Sequence, residues 1–164
     1  MFVFPEINPV IFQLGPLQLN WYGSMYILGI LSGYFFSKKA FKALGFSTDD
    51  ILNIFSSLIL GIVIGGRIGY VCFYNPGYYI TNPIEILSLW KGGMSYHGGA
   101  LGCLITMMII SKLYKKNIWS LLDILGISSC FGLFFGRIGN FINGELYGKV
   151  TTVAWGMVFP HVDN

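Results

Sequence analysis

Charged residues are scarce in this sequence. Asp, Glu, Lys and Arg make up 10% of its 164 residues, whereas hydrophobic residues make up 54% and the mean hydropathy is +0.66. Soluble domains carry roughly 25% charged residues, so the shortage excludes an ordinary water-soluble domain. It predicts an all-α, polytopic bundle of transmembrane helices, with the lipid bilayer as a partner and no nucleic acid.

Cysteine is also rare, and the sequence lacks a basic start. Cys72, Cys103 and Cys130 lie in apolar segments without paired spacing or an adjacent His, so neither a disulfide framework nor a zinc site is indicated. Glu6 and Pro9 interrupt the first residues, and no basic region precedes the first apolar run. We therefore expect no cleavable signal peptide, and the first apolar run is expected to remain in the mature protein.

Four segments are long enough to cross a membrane, since a hydrocarbon core of about 30 Å needs about 20 helical residues. The predicted spans are 19–37, 51–74, 95–111 and 121–141. The loop 75–93 is rich in Tyr, Pro and Trp, and its "NPIEILSLWKGG" predicts a short interfacial amphipathic helix. Residues 1–164 are expected to form a single integral membrane domain with a polar outer segment at 142–164.

The basic residues predict the orientation of the chain. Cytoplasmic loops carry an excess of Lys and Arg. Six of the ten basic residues fall between spans one and two or between spans three and four: Lys38, Lys39, Lys42, Lys112, Lys115 and Lys116. The N-terminus, the loop 75–93 and the region after span four are therefore expected outside.

Glycines recur every four residues within the spans, at Gly61, Gly65 and Gly69 and, in span three, at Gly98 and Gly102. Similar pairs occur in spans one and four. This spacing predicts close approach of helix backbones. A short motif also appears twice, as "GRIGY" at 66–70 and "GRIGN" at 136–140, which places two arginines at similar depth.

Arg67, Arg137 and Glu145 are the first candidates for function, because a charge at mid-span costs about 2.5 to 3.5 kcal/mol. Arg67 either reaches the interface or pairs with a carboxylate such as Glu145, or it binds an anion. On a helix, Arg137 shares a face with Asn140, and their donors suit a lipid phosphate. A structural Arg–Glu pair is the alternative for Arg137.

A histidine and two tyrosines complete the candidates. His97 opens span three in "GGMSYHGGALG", at the membrane face where span four ends. A single histidine in a membrane helix is commonly a packing residue, but an imidazole can also accept a proton near neutral pH. Tyr22 and Tyr26, one turn apart in "LNWYGSMY", are either interfacial aromatics or hydrogen-bond donors to a substrate.

Four blocks resemble the prolipoprotein diacylglyceryl transferase family, in the same order along the chain. They are "PVIFQLGPLQLNWYG", "GGRIGYVCFYN", "GGMSYHGGALG" and "GRIGNFINGELYG". The resemblance implies a transferase, without metal or other cofactor, that moves the diacylglyceryl group of phosphatidylglycerol onto the lipobox cysteine of a preprolipoprotein. It also implies that this first step of lipoprotein maturation takes place at the outer face of the bacterial cytoplasmic (inner) membrane.

The resemblance also implies roles for individual residues. The expected catalytic residues are His97, as the base for the incoming thiol, and Arg137, which would bind the phosphate of phosphatidylglycerol. The expected substrate-binding residues are Tyr22, Tyr26, Arg67, Asn140, Asn143, Glu145 and Gly148.

The sequence departs from the family in two respects. The signature usually continues with Arg, where this chain has Lys149, which lacks the bidentate geometry. Family members are considerably longer, with further spans and another important arginine, so we expect a truncated member or one part of a longer protein. The alternatives are an inactive fragment, a membrane scaffold, or a transporter whose ionisable residues line a pathway.

Overall fold

The computed structural model describes residues 1–15 and 17–160, and these residues are mainly helical, as predicted. The α-helices are α1 (Trp21–Ala43), α2 (Thr48–Phe73), α3 (Pro76–Thr81), α4 (Tyr96–Tyr114) and α5 (Ile118–Ile142). Between α3 and α4 lie two 3-10 turns, Pro83–Leu87 and Leu89–Lys91. The interfacial helix predicted in this loop is therefore replaced by short turns, of which the first begins at a proline and the second ends before Gly92, whose φ is 79°.

Short strands add to the all-α prediction. Strand β1 (Phe2–Val3) pairs in parallel with β4 (Met157–Val158), and β2 (Val10–Leu14) forms an antiparallel hairpin with β3 (Leu17–Asn20). Residues 19 and 20, predicted as the start of span one, therefore lie in β3. The helix begins one residue later, where the Trp21 N–H donates to the Pro9 carbonyl at 3.0 Å.

Three of the described helices, α2, α4 and α5, are long and apolar enough to cross a membrane. They correspond to the predicted spans two, three and four. Span one also forms a helix, but α1 is not among the described helices that are apolar enough to cross a membrane. It carries Lys38, Lys39 and Lys42, expected in a loop, in its last turns, and Trp21 and Tyr22 in its first. A membrane crossing by α1 stays a prediction.

The chain divides into two compact units. The terminal unit consists of Met1–Phe35 and Ser128–Asn164, and the central unit consists of Phe36–Ile127. Helices α1 and α5 each contribute residues to both units. The single membrane domain and the outer polar segment expected from the sequence stay predictions.

In the central unit, α2 packs against α4 along a row of glycines. A Cβ added at Gly65 would lie 2.9 Å from the Cα of Gly102, and one at Gly69 would lie 2.8 Å from the Cα of Gly98. Gly61 faces Gly102 in the same way. Side chains are not tolerated at such distances, so only glycine lets these two backbones meet. The packing predicted from the four-residue spacing is confirmed here.

The core of the central unit lies around the start of α2. Its almost fully buried side chains are Phe41, Ile51, Ile54, Met107 and Leu121. A capping box begins α2: the Asp50 N–H donates to Ser47 Oγ at 3.1 Å, and the Ser47 N–H donates to Asp50 Oδ2 at 2.9 Å. This reciprocal pair satisfies two backbone donors that the first helical turn leaves open.

In the terminal unit, small residues bring α1 and α5 together. A Cβ at Gly29 would lie 3.0 Å from the Cα of Gly132, and one at Gly33 would lie 3.1 Å from the carbonyl oxygen of Ser128. A Cβ at Gly136 would meet no described atom within 4 Å. A Cβ at Gly132 would likewise meet no described atom within 4 Å. The spacing therefore predicts the contact correctly for Gly29 and Gly33 of α1, whereas a side chain at Gly132 or Gly136 of α5 would not collide with the described residues.

The glycine row gives a stability prediction. Gly65→Ala should lower stability by about 1 to 3 kcal/mol, because the new methyl group meets the backbone of α4 and the helices must separate. Gly126→Ala is the matched control, since a Cβ at this position in α5 meets no atom of the described residues within 4 Å. Thermal unfolding in detergent measures both, and equal midpoints for the two variants would contradict the packing.

Candidate functional site

Arg67 on α2 is buried, with 4% of its surface exposed. Its five N–H groups all donate to backbone carbonyls of the loop before α4. Nε donates to Ile86 at 2.8 Å, Nη1 to Gly92 at 2.6 Å and Gly93 at 3.1 Å, and Nη2 to Glu85 at 2.6 Å and Ser88 at 3.3 Å. A guanidinium has five donors, so none remains for another acceptor.

Two tyrosine rings flank this guanidinium. The Cζ of Arg67 lies 5.2 Å from the ring centre of Tyr79 and 6.0 Å from that of Tyr70. Both distances are in the range of cation–π attraction, which compensates a cation removed from water. The expected substrate-binding role of Arg67 stays a prediction, and it would require one or more of the carbonyl bonds to break.

His97 lies in the first turn of α4, in the central unit, and its side chain is exposed. Ser95 caps the helix, and its Oγ accepts from the Gly98 N–H at 3.2 Å. The imidazole packs edge-on to the Tyr96 ring, with 5.7 Å between ring centres. Among the described residues it has no hydrogen-bond partner, so both ring nitrogens can meet a ligand.

Arg137 differs from Arg67 although both lie in the same four-residue motif. It is exposed near the end of α5, in the terminal unit, and its guanidinium forms no hydrogen bond or ion pair with the described residues. The structural Arg–Glu pair considered for Arg137 is therefore not formed among these residues. An exposed guanidinium with open donors can bind an anion such as a phosphate.

A tight turn follows Arg137 at the end of α5. The Glu145 N–H donates to the Asn140 carbonyl at 2.8 Å, and Asn143 Nδ2 donates to Glu145 Oε1 at 3.2 Å. Gly144 has a φ of 66°, which favours glycine because it has no Cβ. The turn therefore brings three of the predicted substrate-binding side chains into one short segment.

Asn143 also contributes to a cavity in the terminal unit. The cavity has a volume of about 330 Å³, and Phe4, Ile7, Pro9 and Gly144 form part of its wall. The Oδ1 of Asn143 is buried and has no hydrogen-bond partner among the described residues. A buried acceptor of this kind is costly unless a donor reaches it.

Tyr22 and Tyr26 lie on α1 in the same unit. Their hydroxyl oxygens are 3.1 Å apart, so one phenol donates to the other. A Cβ at Gly139 of α5 would lie 2.9 Å from Cδ2 of Tyr22. Gly139 therefore lets the ring lie directly against the helix that carries Arg137.

The structure groups the predicted residues unequally. The terminal unit holds most of them: Tyr22, Tyr26, Arg137, Asn140, Asn143, Glu145 and Gly148. Gly148 is exposed and follows the turn outside any helix or strand. Arg67 and His97 belong to the central unit, so the proximity of His97 to Arg137 stays a prediction.

Comparison with known proteins agrees with the motifs. The family model described as "Prolipoprotein diacylglyceryl transferase" matches residues 9–164. The chain belongs to this family. It is 46% identical over 162 residues to the phosphatidylglycerol–prolipoprotein diacylglyceryl transferase of Rickettsia africae and 48% identical over 162 residues to that of Rickettsia bellii. The protein of the same name in Geobacter sulfurreducens is 45% identical over 159 residues.

The matched region covers nearly all of this chain but only part of each relative. The matches cover 98%, 98% and 96% of this chain, but 62%, 62% and 61% of the three relatives, respectively. The chain therefore spans about three fifths of the length of the curated relatives that it matches.

The main-chain acceptors around Arg67 are not among the residues that the sequence predicts. The carbonyl groups of 85–93 that surround Arg67 carry no side-chain signal, so a motif search does not select them. The doublet Gly92–Gly93 was the available signal, because both glycines have positive φ values of 79° and 84°. Such a turn exposes carbonyls that need donors.

The same loop holds an ion pair that gives a pH prediction. Lys91 Nζ donates to Glu85 Oε1 at 2.7 Å, and this hydrogen bond lowers the pKa of Glu85 and raises the pKa of Lys91. The contribution of Glu85 to stability is therefore present above its unfolded pKa, about 4.3. It is lost as pH falls through the lower folded value. The contribution of Lys91 is lost only as pH rises through its raised folded value.

A double-mutant cycle of Glu85→Gln and Lys91→Met checks this, with thermal unfolding measured from pH 3 to pH 8. The coupling should be present near neutral pH and should decline in acid. A coupling that stays constant over this range would show that the pair does not act through the carboxylate.

Proposed function

We propose that the protein transfers the diacylglyceryl group of phosphatidylglycerol to the lipobox cysteine thiol of a preprolipoprotein. The observation that carries the proposal is Arg137, an exposed guanidinium without a partner among the described residues, in the signature motif of the family. Its relatives bear the name of this activity. Because the matched region is about three fifths of those relatives, the activity is a proposal for this chain.

The reaction is a displacement at carbon. The sulfur of the cysteine forms a bond to the glyceryl carbon that carries the phosphate, and the C–O bond to that phosphate breaks. The electron pair stays on the phosphate oxygen, and glycerol phosphate leaves. A free thiol has a pKa of about 8.5, so a base must take its proton. The departing phosphate needs a cation nearby.

His97 and Arg137 meet these two needs in the proposal. The imidazole of His97 is exposed and has no hydrogen-bond partner among the described residues, which suits a base that receives the thiol proton. Arg137 holds the phosphate of phosphatidylglycerol and stabilises the charge that develops on it.

The remaining residues bind the lipid headgroup. Asn143 Oδ1 needs a donor, and the free hydroxyl groups of the glycerol headgroup supply one. Asn140, Glu145 and Gly148 lie in the same segment, and the phenols of Tyr22 and Tyr26 belong to the same unit.

We place the reaction at the outer face of the bacterial cytoplasmic membrane, with the N-terminus outside. The support is the excess of Lys in the last turns of α1 and at the end of α4, on the side assigned to the cytoplasm. Consecutive spans alternate in direction, so the start of α4 and the end of α5 fall on the same membrane face.

The test measures transfer of labelled diacylglyceryl from phosphatidylglycerol vesicles to a lipobox-cysteine peptide. His97→Ala should lower the rate by roughly 10²- to 10⁴-fold through loss of the base. Arg137→Ala should lower it by roughly 10²- to 10³-fold through loss of charge stabilisation. Arg137→Lys should fall between, because it keeps the charge without the paired donors.

Lys42→Ala is the matched control, since it removes an exposed cation from the end of α1 and should leave transfer unchanged. Transfer by the wild-type protein is the first requirement. Normal rates in both alanine variants would remove His97 and Arg137 from the mechanism, whereas no transfer by the wild type would contradict the proposed function of this chain.

A further inference from the structure

The two "GRIG" motifs place identical arginines in opposite environments. Arg137 is exposed and has open donors, whereas Arg67 is 4% exposed and has used all five. The acceptors of Arg67 are all main-chain oxygens, and none of its described partners is a carboxylate side chain. The distances, 2.6 to 3.3 Å, are those of ordinary hydrogen bonds. Arg67 therefore binds the loop 85–93 of the same chain.

The acceptors of Arg67 are distributed so that one side chain holds a whole loop. Glu85 and Ile86 belong to the first 3-10 turn, Ser88 separates the two turns, and Gly92 and Gly93 follow the second. The Glu85 and Ser88 carbonyls also accept main-chain N–H groups within the 3-10 turns, whereas those of Ile86, Gly92 and Gly93 have no described donor other than the guanidinium. We call this set of five bonds the Arg67 clasp.

The clasp lies immediately before the helix that carries His97. Gly66, the neighbour of Arg67, accepts the Ser95 N–H at 2.9 Å. Ser95 caps α4. A Cβ at Gly93 would lie 2.8 Å from Cδ1 of Tyr70, so the loop lies directly against α2 at this point. Two consecutive residues of α2 thus bind this region: Gly66 binds Ser95, the N-cap of α4, and Arg67 binds the loop before it.

We propose that Arg67 is a positioning residue and not a phosphate ligand. The clasp holds the loop 85–93 on α2, and it thereby fixes where α4 begins and where His97 stands. The effect on transfer rests on the proposed function, but the effect on the loop does not. Charge alone does not perform this role, because it needs five N–H donors spread over a planar group.

The test uses Arg67→Lys and Arg67→Met in the membrane-inserted full chain. Lysine keeps the charge but has one nitrogen with three N–H donors, and methionine keeps an apolar stem with none. Hydrogen exchange of the amides of 85–95 should accelerate by roughly tenfold or more in both variants, because bonds from a charged donor are lost. Exchange in 118–127 should not change.

Steady-state transfer supplies the second readout. The positioning role predicts that kcat falls in Arg67→Lys while KM for phosphatidylglycerol stays within about twofold. A phosphate ligand predicts the reverse: KM rises in Arg67→Met, lysine restores much of it, and exchange in 85–95 is unchanged. That second pattern would overturn the proposal.

Glu85→Gln is the matched control, because it breaks the ion pair with Lys91 in the same loop but keeps the backbone carbonyl that Arg67 binds. It should leave exchange at Ser95 close to that of the wild type. If Arg67→Met does not accumulate in membranes, Arg67→Lys carries the comparison. If the wild type shows no transfer, hydrogen exchange alone decides, and normal protection of 85–95 in Arg67→Lys refutes the clasp.

Discussion

Unpaired backbone carbonyls are the constraint on which this structure depends. Where the chain leaves a regular helix next to a membrane-crossing segment, its backbone carbonyls need hydrogen-bond donors from the protein, because lipid offers none. Here five N–H groups of Arg67 on α2 donate to the loop 85–93, and for the carbonyls of Ile86, Gly92 and Gly93 they are the only described donors. The Gly66 carbonyl of the same helix receives the Ser95 N–H. One turn of α2 therefore organises both the loop and the start of α4.

The glycine row extends this constraint along the helices. Gly65 and Gly69 of α2 meet Gly102 and Gly98 of α4 backbone to backbone, so the two helices cannot slide without collision. Together with the Arg67 clasp, the row makes α2 and α4 a fixed pair within the central unit. His97 lies at the start of α4, and a rigid helix would suit its proposed role as a base that meets a substrate in one orientation.

The terminal unit has a different chemical character. Its arginine, Arg137, leaves its donors open, and in the turn after α5 Asn143 donates to Glu145, whose N–H donates to the Asn140 carbonyl in the last turn of the helix. In the proposed transfer, the departing phosphate needs a cation with free donors beside it. The structure keeps these roles apart by burying one arginine of the repeated motif and exposing the other.

Local sequence determined the helices and the family. Long apolar runs predicted α2, α4 and α5 closely. The four-residue glycine spacing predicted the close contact of α2 with α4. Both signals can be recognised because each lies within the sequence of a single helix. The pairing of β1 with β4 had no such signal, since Phe2 and Met157 are neighbours only after the chain has folded. The sequence does not distinguish the two arginines either. The motif "GRIG" is identical at 66–69 and 136–139, so it predicts an arginine in each helix but not the environment of either one. Only the tertiary structure decided which guanidinium has all its N–H donors bonded. The acceptors lie 18 to 26 residues away in the sequence, and they reach Arg67 only because the loop folds back onto α2.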